Sequence, residues 1–281
     1  MTGLSRVVTR CIAVLALTAC VSGPAPTDLA RAQLAPHGAL RIGVNYGNPV
    51  VAQRDASGGP PRGVGPALGR ELARRLGVPI AYVEYNTAAT MADAANADAW
   101  DVAFLAIDPS RAAQIDFTAA YVQAESTYLV RRDSPYRNVA DLDRDGIRIA
   151  VGEGTAYALY LARTLRHATL LKAPTSPAAV ALFEAARLDA AAGVRNPLLA
   201  AARQDASLRV LEDSFMVTGQ AAGVRKGRAA AATYLAAFIE EAKASGFVAR
   251  ALRDSGVTDA TVAPPAPVRR AAEAFNAEGS R

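Results

Sequence analysis

Residues 101–121, DVAFLAIDPSRAAQIDFTAAY, restrict the fold more than any other stretch of the chain. Residues 102–107 are apolar or small with no alternation. That is the pattern of a strand buried on both faces, as in a parallel sheet covered by helices. Pro109 turns the chain, and a short polar segment then carries Arg111. Ligands of open parallel sheets bind just past the carboxyl ends of such strands, which is where Arg111 is predicted to stand. Its planar, permanently charged fork suits a carboxylate or a phosphate. The plainer alternative is a surface arginine paired with Asp108 or Asp116.

The pattern around this segment repeats. Strands are predicted at 40–45, 79–85 and 101–107, with helices at 63–76 and 87–99, the series of a parallel sheet with right-handed crossovers. Leu68, Leu72 and Leu76 share one face of the first helix, and Gly77 closes it. Residues 121–132 are extended and lead to a second set. Its strands are predicted at 147–151, 168–172, 189–194 and 208–211. Its helices run over 155–167 and 176–188 and from Asn196 onward. Residues 215–224 return in extended form, and two further helices cover 228–244 and 247–255. Two α/β units joined by two crossings, near Val130 and Val217, make a hinge. The expected first lobe is 39–129 plus 218–260, with the last helices packed on it. The second lobe is 130–217, and 261–281 is expected to be a loose tail.

The N-terminus reads as a targeting segment. Arg6 and Arg10 precede a short apolar run at 11–17, and Leu17-Thr18-Ala19-Cys20 follows. This resembles a lipobox in which Cys20 is lipidated after cleavage; an ordinary secretory leader is the alternative. A membrane span needs about 20 apolar residues, so none is expected here. Residues 21–38, with Pro24, Pro26 and Pro36, read as a flexible tether. Cys11 and Cys20 are the chain's 2 cysteines, so no disulfide, cysteine-metal site or thiol nucleophile is expected in the mature body. The formal charge of +5 falls to about +3 without Arg6 and Arg10. The charges are scattered, which speaks against nucleic-acid binding.

Asp101…Asp108-Pro109-Ser110-Arg111, followed by Asp116-Phe117-Thr118-Ala119-Ala120-Tyr121, resembles family 3 of the solute-binding proteins of bacterial ABC importers. The likeness runs over about residues 40–257. It implies a two-lobed, type II periplasmic-binding-protein-like α/β fold, each lobe a mostly parallel sheet flanked by helices. It also implies that Arg111 grips a ligand carboxylate, and that Thr155, after Gly154, touches the same carboxylate from the second lobe. Thr155 also reads simply as a helix N-cap. Asn45, Tyr46 and Asn48, after the first strand, point at the same cleft, with plain turn chemistry as the alternative. Phe104, Leu105, Ala106 and Asp108 are further ligand-binding candidates. The implied partners are a small carboxylate-bearing solute (an amino acid or organic acid), permease and ATPase subunits, and a membrane reached through the lipid anchor. A monomer is expected, periplasmic or on the cell surface, without cofactor or metal.

Several residues depart from that family pattern. Phe104 and Ala106 stand where many amino-acid binders place hydroxyls. Arg195 stands where a carboxylate for the ligand's ammonium is expected, and a buried ammonium without an acceptor is costly. The pocket therefore reads as richer for an anion than for a zwitterion, although Asp108, Glu153 or Glu125 could replace the missing acid. Gly63-Val64-Gly65-Pro66-Ala67-Leu68-Gly69 has the wrong spacing for a nucleotide loop and reads as a helix start. His37 and His167 are isolated, and Trp100 reads as a packing residue. Two other functions compete. One is a lyase resembling the periplasmic cyclohexadienyl dehydratases, with Glu153 as general acid; turnover of prephenate or arogenate, lost in Glu153→Gln, would reveal it. The other is a sensor module working without a permease.

Overall fold

The computed structural model describes residues 25–258 and 260–267. The leader with Cys20, and the tail beyond 267, lie outside the described residues.

In the first lobe β1 (Leu40–Asn45) lies between β2 (Ile80–Tyr85) and β3 (Val102–Ala106), all parallel, with Leu40 opposite Ile80 and Ile42 opposite Val102. Every residue of β3 is buried, as its unalternating sequence predicts. Helix α2 (Val64–Leu76) crosses from β1 to β2 and buries Leu68, Leu72 and Leu76. Its glycines serve packing. A Cβ on Gly65 would come within 2.9 Å of Val51 and 3.1 Å of Phe104, so the helix lies closer to the sheet than a side chain would permit. Helix α3 (Ala88–Asp93) is shorter than the predicted 87–99. The chain folds back there because buried Trp100 donates its indole N–H to the Met91 carbonyl at 2.8 Å.

Two long strands join the halves. β4 (Ile115–Arg131) pairs antiparallel with β9 (Met216–Arg225), then with β7 (Ala190–Val194). The exchange falls at Ser126, opposite both Met216 and Val194, rather than near Val130. β9 also runs antiparallel to β3, placing Gln220 opposite Ala106. In the second lobe β5 (Arg148–Gly152) lies between β6 (Thr169–Ala173) and β7, all parallel, while short β8 (Leu208–Val210) pairs with β4. Helices α4 (Ala156–Thr164), α5 (Ser176–Ala185) and α6 (Arg195–Gln204) follow β5, β6 and β7. The strand order is β2-β1-β3-β9-β4-β7-β5-β6. Each half is thus parallel at its outer strands and antiparallel at the crossing, a two-lobed α/β fold. Helices α7 (Ala229–Ala244) and α8 (Phe247–Asp254) return to the first lobe, α7 against β4 and β9, α8 against α2.

Two expectations of loose chain are corrected. Within the expected tether, residues 28–34 form helix α1 (Asp28–Leu34), capped by the Thr27 hydroxyl. It packs on α7, buries Ala30 and Leu34, and takes an Arg228 donor on the Gln33 carbonyl. Burying a leucine contributes on the order of 1.5–3 kcal/mol, which such a short helix needs because it is marginal alone. Likewise β10 (Ala260–Val262) adds to the edge of β4, Ala263 is buried, and the Lys243 ammonium donates to the Pro264 carbonyl. Among the described residues no helix is long and apolar enough to cross a membrane.

Candidate functional site: a cleft between the lobes

The carboxyl ends of β1 and β3 face those of β5 and β7 across a cavity of about 500 Å³. Parallel strands deliver their following loops, and the starts of their following helices, to that end. Ala156 and Tyr157 of α4, Ser176 and Pro177 of α5, and Asn196 and Pro197 of α6 line the cavity. All are first-turn residues. The first turns of three helices, the positive ends of their dipoles, therefore border one space.

Arg111 is the deepest charge there. The residue is only 6% exposed. Its Nη1 donates to the Ala106 carbonyl at 2.8 Å, which fixes it to the end of β3. Its Nη2 donates to the Gly154 carbonyl at 2.6 Å, on the loop between β5 and α4. The guanidinium therefore spans the cleft. Burial pushes its pKa down from the ordinary arginine value, while the Asp108 and Asp93 carboxylates pull the other way. An arginine keeps its charge under such a shift, so it presents a partly desolvated cation to whatever enters.

The other sequence candidates divide. Asn45, Leu105, Ala106 and Thr155 line the cavity with Arg111. Thr155 is also the α4 N-cap, accepting from Ala158 N–H at 3.2 Å and donating to the Gly152 carbonyl at 2.8 Å. Asn45 Oδ1 accepts from Gly47 N–H at 2.9 Å, and Asn48 also lines the cavity. Gly154 does not line the cavity; it touches the site through the carbonyl held by Arg111.

Four candidates stand elsewhere. Tyr46 lies outside the lining, in the turn that follows β1. Its ring packs under the Arg54 guanidinium at 3.9 Å, and its hydroxyl donates to Glu84 Oε1 at 2.9 Å. Burial, and then the Glu84 hydrogen bond, push that phenol up to about 12. Phe104 is too deep in β3 to reach the cleft and packs edge-on against Tyr121 in the core. Asp108 is buried, accepting from Ser110 N–H and Oγ and from Arg163 Nη2 of α4 at 3.1 Å. Burial raises its pKa, but these donors outweigh it and hold the carboxyl below its usual value. Arg195 turns away from the cavity, with donors on the Leu211, Glu212 and Asp213 carbonyls and on Glu125.

The structure adds residues the sequence reading did not single out. Gln220 and Thr218, on β9, form part of the cavity wall. Gln220 is 1% exposed, and its Oε1 has no hydrogen-bond partner among the described residues. The available signal was a single long polar side chain inside the small-residue run Gly219-Gln220-Ala221-Ala222-Gly223. Glu153, the conjectured general acid, sits at the rim with its side chain 59% exposed and Lys172 Nζ at 3.7 Å. No group of residues fit to hold a metal occurs among the described residues.

The fold is shared with solved structures at low sequence identity. A mutant of ArgBP from T. maritima matches with TM-score 0.71 and 21% identity, over 82% of this chain and 100% of that one. The ancestral amino acid-binding protein AncCDT-1, a precursor of cyclohexadienyl dehydratase, matches with TM-score 0.69 and 22% identity, over 80% and 98%. A histidine kinase sensor domain with similarity to periplasmic binding proteins matches with TM-score 0.67 and 23% identity, over 78% and 95%. No curated protein is significantly similar to the chain. Residues 40–254 match the bacterial extracellular solute-binding proteins, family 3, and the chain belongs to that family.

Proposed function

We propose that this protein captures a small carboxylate-bearing solute, an amino acid or organic acid, between its lobes and delivers it to the permease of an ABC importer. The ATPase would belong to partner subunits, and the chain would bind without turnover. The observation that carries this reading is Arg111, a buried guanidinium at the mouth of three helix N-termini. Each hydrogen bond from a charged donor contributes about 1.5–3 kcal/mol, and a carboxylate accepts two from one arginine.

The test is a thermal-shift screen of small acids against the parent, Arg111→Ala and Arg111→Lys. A ligand at about 100 times its Kd adds roughly 2.7 kcal/mol of stability. The hit should vanish in Arg111→Ala and weaken strongly in Arg111→Lys, which keeps the charge but not the fork. Undiminished binding by Arg111→Ala would sink the carboxylate clamp.

We further propose that Cys20 carries the lipid that holds the protein at the membrane. This rests on the Leu17-Thr18-Ala19-Cys20 sequence. Cys20→Ser should move the protein from the membrane fraction to the soluble extracytoplasmic fraction and abolish labelling with a radioactive fatty acid. Unchanged membrane retention would reject the anchor.

A further inference from the structure

Arg111 is the one buried charge among the described lining residues, and the structure shows what is available to answer a positive group on the ligand. Among the described lining residues Glu153 is the one carboxylate, and it stands in solvent beside Lys172. The other acids that could have replaced a missing ammonium partner are engaged elsewhere. Asp108 is held by Ser110 and Arg163, and Glu125 by Arg195. What remains beside the arginine is Gln220. It lies directly across the strand pair from Ala106, whose carbonyl anchors Arg111. Its buried Oε1 has no partner among the described residues. An amide can turn to offer an acceptor or a donor, but never a countercharge.

The wall also holds uncharged polar side chains, Asn86, Ser176, Asn196 and Gln204 among them, and one apolar stretch. Val180, Ala192, Val194, Leu198 and Ala201 line the second-lobe side, between α5, β7 and α6. A charged ligand tail laid against that stretch would lose its hydration without a countercharge in return.

Building on the carboxylate reading above, we propose that the solute is a monocarboxylic acid with an apolar body and an uncharged polar group, or none, in place of an amine. The carboxylate meets Arg111 and the helix N-termini, and the uncharged group meets Gln220. The apolar body fills the recess against Val180 and Leu198. The site thereby discriminates against the amino acid of the same skeleton, whose ammonium would enter beside a buried arginine without a buried carboxylate to meet it.

Matched skeletons decide it by calorimetry. One set is leucine, leucic acid, isocaproic acid and isocaproamide. The other is phenylalanine, phenyllactic acid, hydrocinnamic acid and hydrocinnamamide. In at least one set the hydroxy acid or plain acid should bind at least about tenfold tighter than the amino acid, and the amide should not bind. An amino acid that binds as well as its acid partners, and is lost in Arg111→Ala, overturns this inference and leaves the carboxylate reading standing. No binding by any acid of either set also overturns this inference, whereas amides that match the acids overturn the carboxylate reading itself. Gln220→Glu, which supplies the missing countercharge, should shift the preference toward the amino acid; an unchanged ranking would remove Gln220 from the proposal. Should that variant fail to fold, the parent's own ranking still decides the class.

Discussion

Asp101→Ala is expected to lower the stability of the first lobe by about 3–5 kcal/mol, the loss typical when one partner of a buried ion pair is removed. The Asp101 side chain is fully buried. Its carboxylate accepts from Arg41 backbone N–H, Nε and Nη2 at 3.0, 3.0 and 2.9 Å, and from Arg228 Nη1 at 3.0 Å. Those two arginines come from β1 and from the N-cap of α7, and Arg228 also holds α1 through the Gln33 carbonyl. One carboxylate therefore ties the start of β3 to three distant segments. Alanine would leave two guanidinium groups facing each other in a mostly buried space, with Asp98 as their remaining carboxylate. A domain has only about 5–15 kcal/mol in total, so urea unfolding should show a much lower midpoint. Asp101→Asn should also fall well short of the parent, because its amide N–H₂ opposes donors. A loss under about 1 kcal/mol, the scale of an exposed pair, would mean the network is only a surface feature.

The same residue shows what the sequence could and could not convey. Asp101 stood out as the start of a recognisable segment, but its partners lie some sixty and more than a hundred residues away, beyond any local pattern. The α/β alternation was legible because β1, β3 and β7 are apolar runs bounded by glycine and polar turns. Arg111 was legible because a charge directly after a buried strand must sit at the sheet's ligand-binding end. Helix α1 was hidden because its seven residues are flanked by prolines and gain their order from α7, not from local propensity. Arg195 was misplaced for a related reason. Its position at the start of α6 is readable, but the carbonyls at 211–213 that draw its fork away from the cleft belong to a separate loop. Tyr46 stands in the turn after β1, where Arg54 and Glu84 hold its ring and hydroxyl, partners that no local pattern announces.

Gly154→Ala is expected to hold the two lobes apart and to weaken capture of the solute by about tenfold or more. Gly154 has φ of +66°, and an L-residue in the left-handed region costs on the order of 1–2 kcal/mol. The larger effect is steric. A Cβ at this position would lie 2.5 Å from the Cβ of Ala89, on α3 of the opposite lobe. A methyl group has no torsion by which to move aside, so the backbones themselves must separate. The two crossings, β4 and β9, are the natural place for that movement. Opening there would break the 2.6 Å bond from Arg111 Nη2 to the Gly154 carbonyl and widen the Asp108–Arg163 contact across the same cleft. Small-angle X-ray scattering should show a larger radius of gyration for the variant, with its fold intact by circular dichroism. Adding Ala89→Gly removes the opposing methyl and should restore both closure and affinity, at a cost of roughly 0.5–1 kcal/mol to α3. Local backbone strain would not be relieved by a change on the other lobe. A double variant as open and as weak as Gly154→Ala would therefore show that the glycine serves its own turn and not the approach of the lobes.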